Sequence, residues 1–347
     1  MEKKLSVLMA FKNEGEEVAL TCKSIRDTAG DKVDIIVYND VSNDGYDYKK
    51  SLEPYNVKYF EGTQRLGSSL GKNLCVEKCE TPYFLILDAH CRLYTKDWLD
   101  KALSVLEQEK DCIYCCKVQY FSDETDHMSS KHMCAYGGYL DYNIKSLFSP
   151  AWNLYNLTKD VENNPPFKIP CLLGANYLCS KRWWNKLKGL QGLRLYGREE
   201  TFISKKSWMA GGEVRCIPTI HTGHKCRIGN RQPYACLAYE VIHNAMVIAY
   251  LLLPRKFDVI IDAFHHLYDI GTYTQAINLF NSHKDELDMY KDYYSKLFKY
   301  TYEETDAFNK QFQGIVKFDW DKQKEAIKGT YNSFHSKSKD KFIRNIG

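Results

Sequence analysis

The sequence has no apolar stretch long enough to cross a bilayer. Its longest such run, Ala245 to Leu253, stops at Pro254, well short of the roughly 20 residues a spanning helix needs. No secretory leader is expected either. Met1-Glu2-Lys3-Lys4 leads straight into Leu5–Phe11, too brief a run for the core of a secretory signal. Net charge is scarce, +4 over 347 residues, and gives no electrostatic reason of its own to look for a polyanionic partner. No internal repeat is present, which excludes solenoids and propellers. Cysteine, by contrast, is plentiful, with thirteen residues. Without a secretion signal they read as reduced thiols, and a cytosolic setting is expected. Cys112-Ile113-Tyr114-Cys115-Cys116 has no matching second cysteine pair. It sits in a strand-like run that turns Cys112 and Cys115 to opposite sides, so zinc is not expected there.

What is present is ordinary globular composition, 44% hydrophobic and 27% charged, enough for one large domain or two modest ones. The 26 tyrosines suit a polar, aromatic-lined binding surface. Apolar runs at Leu5–Phe11, Val33–Tyr38, Val57–Phe60 and Phe84–Leu87 read as buried strands. Between them, Glu16–Thr28 and Gly67–Lys78 carry helical periodicity. Such alternation predicts an α/β fold, a mostly parallel sheet flanked by helices. Further on, Trp98–Leu106 reads as a helix, Ile113–Phe121 and Cys171–Cys179 as strands, and Glu213–Pro218 as a strand running on towards His224. Residues 122–165 read as irregular, a change from a nucleotide-binding half to an acceptor-binding half.

Polar residues gather where these strands end, which is where ligands bind in open α/β sheets. The run Phe84-Leu85-Ile86-Leu87 terminates in Asp88-Ala89-His90. Period-two alternation along a strand points Asp88 and His90 to one side, and a carboxylate with an imidazole suits Mn²⁺ or a similar divalent ion. After the second strand comes Asn39-Asp40-Val41-Ser42-Asn43-Asp44-Gly45. It is readable as a polar turn or as the place where a base and ribose lie. Glu199-Glu200 and the group His221, His224 and Arg227 complete the set. One carboxylate and two imidazoles with open coordination positions suit a metal-held diphosphate, and an arginine suits its phosphates. A separate carboxylate suits deprotonation of an acceptor hydroxyl.

These pieces carry a resemblance. Ala10-Phe11-Lys12-Asn13-Glu14, Asn39–Asp44, Arg65-Leu66-Gly67 and Leu87-Asp88-Ala89-His90-Cys91 follow in order. After them come Leu173-Gly174-Ala175-Asn176-Tyr177, Tyr196-Gly197-Arg198-Glu199-Glu200 and Gly223-His224-Lys225-Cys226-Arg227 with Gln232-Pro233-Tyr234. In order and approximate spacing from about residue 5 to 234, the chain resembles GT-A glycosyltransferases of the family 2 type. It is most similar to the polypeptide N-acetylgalactosaminyltransferases of family 27. The resemblance implies a Rossmann-like GT-A domain over residues 1–235, with a nucleotide-binding half over 1–121 and an acceptor and metal half over 122–235. A helical region with a basic tail follows over 236–347. It implies Asp88, His90 and His224 as ligands of Mn²⁺ (or Mg²⁺), with His221 structural. Asp40 would meet the uracil or ribose and Lys72 the donor, and Arg227 and Tyr234 would belong to a closing lid. Phe11, Asn13, Glu14, Asp44, Arg65, Ala89, Gly174, Ala175 and Tyr196 fall among its donor-contacting motifs.

The departures are as informative. Ala10 and Lys12 replace the family's Thr and His. Glu200 stands where the retaining family has an amide and where inverting family 2 enzymes have their general base. Glu200, with Glu199 beside it, is therefore the candidate catalytic carboxylate and the reason to expect inversion. The lectin domain and Golgi anchor usual in the animal family are not in this sequence, from which a bacterial or phage cytosolic enzyme is expected. A sugar-nucleotide pyrophosphorylase would need a Gly-rich, Lys-bearing N-terminal loop that is not there. The sequence therefore predicts transfer of sugar from a nucleotide sugar, a UDP-sugar above all, to an acceptor hydroxyl. The acceptor is a protein side chain, a hydroxymethylated DNA base or a glycan precursor. The alternative is an inactive relative that binds nucleotide sugar or glycan.

Overall fold

A computed structural model describes residues 2–121, 134–140, 148–151, 165–225, 233–306 and 309. Strands β1 (Leu5–Phe11), β2 (Asp34–Asn39), β3 (Lys58–Glu61) and β4 (Tyr83–Leu87) pair parallel in the order β3-β2-β1-β4. The runs are apolar because both sheet faces are covered, as parallel sheets require. In β1, Leu5, Val7, Leu8 and Met9 are fully buried. Helices α1 (Glu17–Ala29), α2 (Tyr48–Leu52) and α3 (Gly67–Lys78) fill the crossovers, and α1 buries Val18, Cys22 and Ile25 on one face, as its spacing predicts.

Beyond β4 come β5 (Cys91–Leu93), α4 (Trp98–Leu106), β6 (Cys112–Phe121) and β7 (Cys134–Ala135). A separate two-stranded piece, β8 (Tyr139–Leu140) with β9 (Pro150–Ala151), follows, then β10 (Phe167–Lys168), β11 (Asn176–Ser180), α5 (Lys181–Lys186), α6 (Glu199–Met209) and β12 (Glu213–Lys225). The large sheet continues β4-β11-β6-β12-β10, with β5 on β12 and β7 on β6. β11 lies antiparallel between β4 and β6, so the sheet is parallel in its first half and mixed in its second. Two expectations shift here. The strand expected over Cys171–Cys179 begins at Asn176, and Cys171 makes only an isolated bridge with Gly138. β12 runs on past Pro218 through a register shift between Ile217 and His221, because proline cannot donate to a ladder and is accommodated at an irregularity.

The C-terminal helices α7 (Ala238–Leu252), α8 (Phe257–Leu267), α9 (Ile270–Asn281) and α10 (Lys284–Leu297) bear out the helical reading as far as residue 306. The residues beyond it, basic tail included, lie outside those described, apart from Asn309. α7 is buried on all sides, from Glu240 through Leu252. A helix buried all round and mostly apolar belongs in a core, and α7 packs against α6, α8, α9 and α10, with Glu240, His243 and Asn244 as its buried polar residues. No helix among the described residues is long and apolar enough to cross a membrane.

Candidate metal and donor site

Asp88 and His90 are brought together by a turn rather than by strand alternation. β4 ends at Leu87, and the Cys91 N–H donates to the Asp88 carbonyl at 3.2 Å, closing the chain back on itself. The Asp88 N–H donates to the Ala175 carbonyl at 3.0 Å. Two tight elements thus fix where the carboxylate stands. β5 then pairs antiparallel with the end of β12, His224 opposite Cys91, and the Lys225 N–H donates to the His90 carbonyl at 3.0 Å. This seats the two imidazoles side by side, their Nε2 atoms 3.1 Å apart. His224 Nε2 lies 3.6 Å from Asp88 Oδ2. One ligand atom from each of Asp88, His90 and His224 lies within 4.8 Å of the others, and among the described residues this is the one such group. His221 lies three positions earlier on the same strand and faces the other way. Its backbone N–H donates to Thr95 Oγ1 at 2.8 Å, and its ring stands edge-on to Tyr94.

The donor set suits a divalent cation: one carboxylate oxygen and two imidazole nitrogens, all partly solvent-accessible. Glu14 supports it from behind, its Oε2 3.3 Å from His90 Nδ1. A carboxylate there accepts a hydrogen bond from Nδ1–H and so favours the tautomer whose Nε2 lone pair is free for a metal, the usual carboxylate–histidine arrangement behind one. Burial would raise the Asp88 pKa. The His224 hydrogen bond and the charges of Lys72 and His90 outweigh it and hold Asp88 well below the usual carboxylate range.

Beside this centre lies a second group. Lys72 on α3 is buried and its Nζ lies 5.2 Å from the Tyr177 ring centre. Burial works against its charge, yet Asp88, Glu199 and Glu200 together raise its pKa above the ordinary lysine value. Glu199 is buried and accepts from Ser69 Oγ at 3.2 Å. Glu200, the more open of the two, is pushed up to about 7, by burial first and by the charge of Glu199 second. Arg198 is buried, and burial lowers its pKa to about 10 against the pull of Glu200. The structure therefore joins the two clusters that the sequence holds more than a hundred residues apart.

The remaining candidates divide. Asp40 is buried, and its carboxylate accepts the Leu66 N–H at 2.7 Å and the Gly67 N–H at 2.9 Å, so it anchors the 65–67 loop. Arg65 forms a two-pronged pair with Glu240 of α7, at 2.9 and 3.3 Å, and donates to the Ala235 carbonyl. Phe11 is buried against Tyr48, with ring centres 4.6 Å apart. Asn13 bridges Asn43 and the Pro233 carbonyl, which brings Tyr234 over the cleft, 6.2 Å from the Tyr196 ring. Asp44 accepts from Tyr48 Oη. The Ala89 carbonyl accepts from Thr21 Oγ1. Gly174 adjoins Ala175, whose carbonyl holds Asp88. Arg227 and the loop to Arg231 lie outside the described residues. Sequence reasoning missed Glu240 and Asn244 as parts of this site. Their signal was a group of polar residues, Glu240, His243 and Asn244, on a mostly apolar helix.

Comparison with known proteins agrees with this geometry. Residues 6–187, just over half of the chain, match the family described as Glycosyl transferase family 2. Polypeptide N-acetylgalactosaminyltransferase 5 of Caenorhabditis elegans is 25% identical over 244 residues, 66% of this chain and 38% of that protein. Polypeptide N-acetylgalactosaminyltransferase 11 of Xenopus tropicalis is 25% identical over 265 residues, 73% of this chain and 43% of that protein. The chain thus spans about two fifths of the length of these curated relatives. Both are animal proteins and lend nothing to a bacterial or phage source. The crystal structure of GalNAc-T7 with UDP, GalNAc and Mn²⁺ superposes with a TM-score of 0.60 at 19% identity, over 80% of this chain and 55% of that one. That likeness carries the fold, which is GT-A. With the matched region running from β1 past the Asp88 turn into α5, the chain belongs to glycosyl transferase family 2.

Proposed function

We propose that this protein is a metal-dependent glycosyltransferase that moves a sugar from a UDP-sugar to an acceptor hydroxyl. The observation that carries the reading is the convergence of Asp88, His90 and His224 beside Glu199, Glu200 and Lys72. A divalent ion held by the three ligands, Mn²⁺ by its tolerance of mixed oxygen and nitrogen donors, would neutralise a diphosphate leaving group. Lys72 adds a fixed positive charge at the same place. Glu200, raised to about 7, is poised near neutral pH to take the proton of an attacking hydroxyl, and Glu199 keeps it there. A base in that position supports in-line attack and inversion at the anomeric carbon. Tyr196 and Tyr234 close the side of the cleft and exclude water that would hydrolyse the donor. We further infer a cytosolic setting. The support is that the described cysteines are free thiols, all but two of them buried.

The test is titration calorimetry of UDP into wild type and His224→Ala, with and without Mn²⁺, followed by a screen of UDP-sugars against peptide, hydroxymethylated-DNA and glycan acceptors. Binding that needs both the ion and His224 supports the reading. UDP binding that is indifferent to both would sink the three-ligand assignment.

A further inference from the structure

The loop that delivers the catalytic carboxylates is conformationally costly. Leu195, Gly197 and Arg198 all have positive φ, 56°, 98° and 76°, and such values are unusual outside glycine. Something must hold it. Asn244, in the middle of α7 and fully buried, binds this loop and little else. Its Oδ1 accepts the Arg194 N–H at 2.9 Å. The two hydrogens of its Nδ2 are shared among the carbonyls of Arg194, Tyr196 and Gly197, at 2.8, 3.1 and 2.8 Å. The amide orientation follows from the chemistry, because only an NH₂ group can face three carbonyl oxygens. His243 Nδ1 lies 2.8 Å from the same Oδ1 and supplies a second donor in the neutral tautomer. On the opposite side the loop leans on Gly67 through a backbone bridge at Leu195.

We propose, on the footing of the transferase reading above, that Asn244 is a positioning residue: it holds the Arg194–Arg198 loop in the strained form that aims Glu199 and Glu200 at the metal-side cleft. The C-terminal helices are then a working part of the active site, since the polar residue that fixes its geometry sits on α7. A buried side chain that only filled space on this helix would not need to meet four backbone groups of one loop.

The test compares wild type, Asn244→Ala and the near-isosteric Asn244→Asp as whole chains. Amide hydrogen exchange across Arg194–Arg198 reads the loop itself. In the alanine variant it speeds up by roughly tenfold or more while the interior of α6 is unchanged. UDP affinity with Mn²⁺ stays within about threefold, and kcat falls roughly a hundredfold, as small misplacements of catalytic groups do. The aspartate variant keeps the acceptor for the Arg194 N–H but loses the donors to three carbonyls. Its kcat relative to wild type recovers as pH falls, because a protonated carboxyl regains one donor. That signature also serves if the alanine variant fails to fold. Unchanged exchange in the loop overturns the proposal, as does a loosened loop with unchanged kcat or a flat pH ratio for the aspartate variant. A wild type that turns over no UDP-sugar, with the exchange result intact, overturns the transferase reading and leaves the hold of Asn244 on the loop standing.

Discussion

Gly67 and Leu195 touch backbone to backbone. A Cβ built on Gly67 would overlap the Cα and carbonyl of Leu195, and Gly67 itself has a φ of 77°. The 65–67 loop that Asp40 anchors and the loop that leads into Glu199 and Glu200 are therefore in direct contact, at the one residue type that permits it. Gly67→Ala is expected to cost about 1–2 kcal/mol in backbone conformation alone and to push the two loops apart. Urea unfolding and UDP-sugar turnover should both fall. A variant with wild-type stability and rate would show that the contact is dispensable.

Glu14 stands behind His90, not in the open cleft. Glu14→Gln leaves the three ligands in place but no longer draws the Nδ1 proton of His90. A loss of this kind weakens metal affinity by about 10- to 100-fold. Calorimetric titration with Mn²⁺ reads it directly. Unchanged Mn²⁺ affinity together with weaker UDP binding would place Glu14 against the nucleotide instead.

Glu200 moves activity and stability in opposite directions over one pH window. In the proposed role of base it works when ionised, so the rate should rise through about pH 7. Its pKa in the folded protein lies above the ordinary 4.5, so between those values the folded state holds a proton that the unfolded state has released. In the metal-free protein its contribution to stability is therefore full below about pH 4.5 and is lost by about pH 7. Glu200→Gln should remove both slopes and lower the rate by about 10²- to 10⁴-fold. A pH–rate limb that survives the substitution would assign the base elsewhere.

Arg65 and Glu240 form an ion pair in which the carboxylate is fully buried and the guanidinium only partly so. Arg65→Ala strands that carboxylate. Stranding a buried charge costs about 3–5 kcal/mol, somewhat less here because Arg65 is partly exposed. Adding Glu240→Gln should restore much of the loss, since the orphaned charge goes with it. If the double variant is no more stable than Arg65→Ala, the pair is not what holds α7 to the donor loop.

The sequence by itself determined the parallel half of the sheet, because a strand buried on both faces has to be apolar throughout, and Leu5–Phe11 and Phe84–Leu87 are. It marked Asp88, His90 and His224 because they lie near strand ends, where ligands bind in open α/β sheets, and the Glu199-Glu200 pair through the resemblance of the segment around it. It located α3 and α4 to the residue, since their periodicity is uninterrupted. Only the tertiary structure decided how these residues meet. Period-two reasoning put Asp88 and His90 on one strand face, whereas a turn joins them, and local pattern cannot say where a strand stops pairing. That β5 and β12 pair, and so set His224 against His90, is a contact between residues more than a hundred positions apart. The same holds for α7. Glu240 and Asn244 read as ordinary polar positions on an apolar helix. Their grip on Arg65 and on the 194–198 loop follows from where that helix packs, which no short-range periodicity encodes.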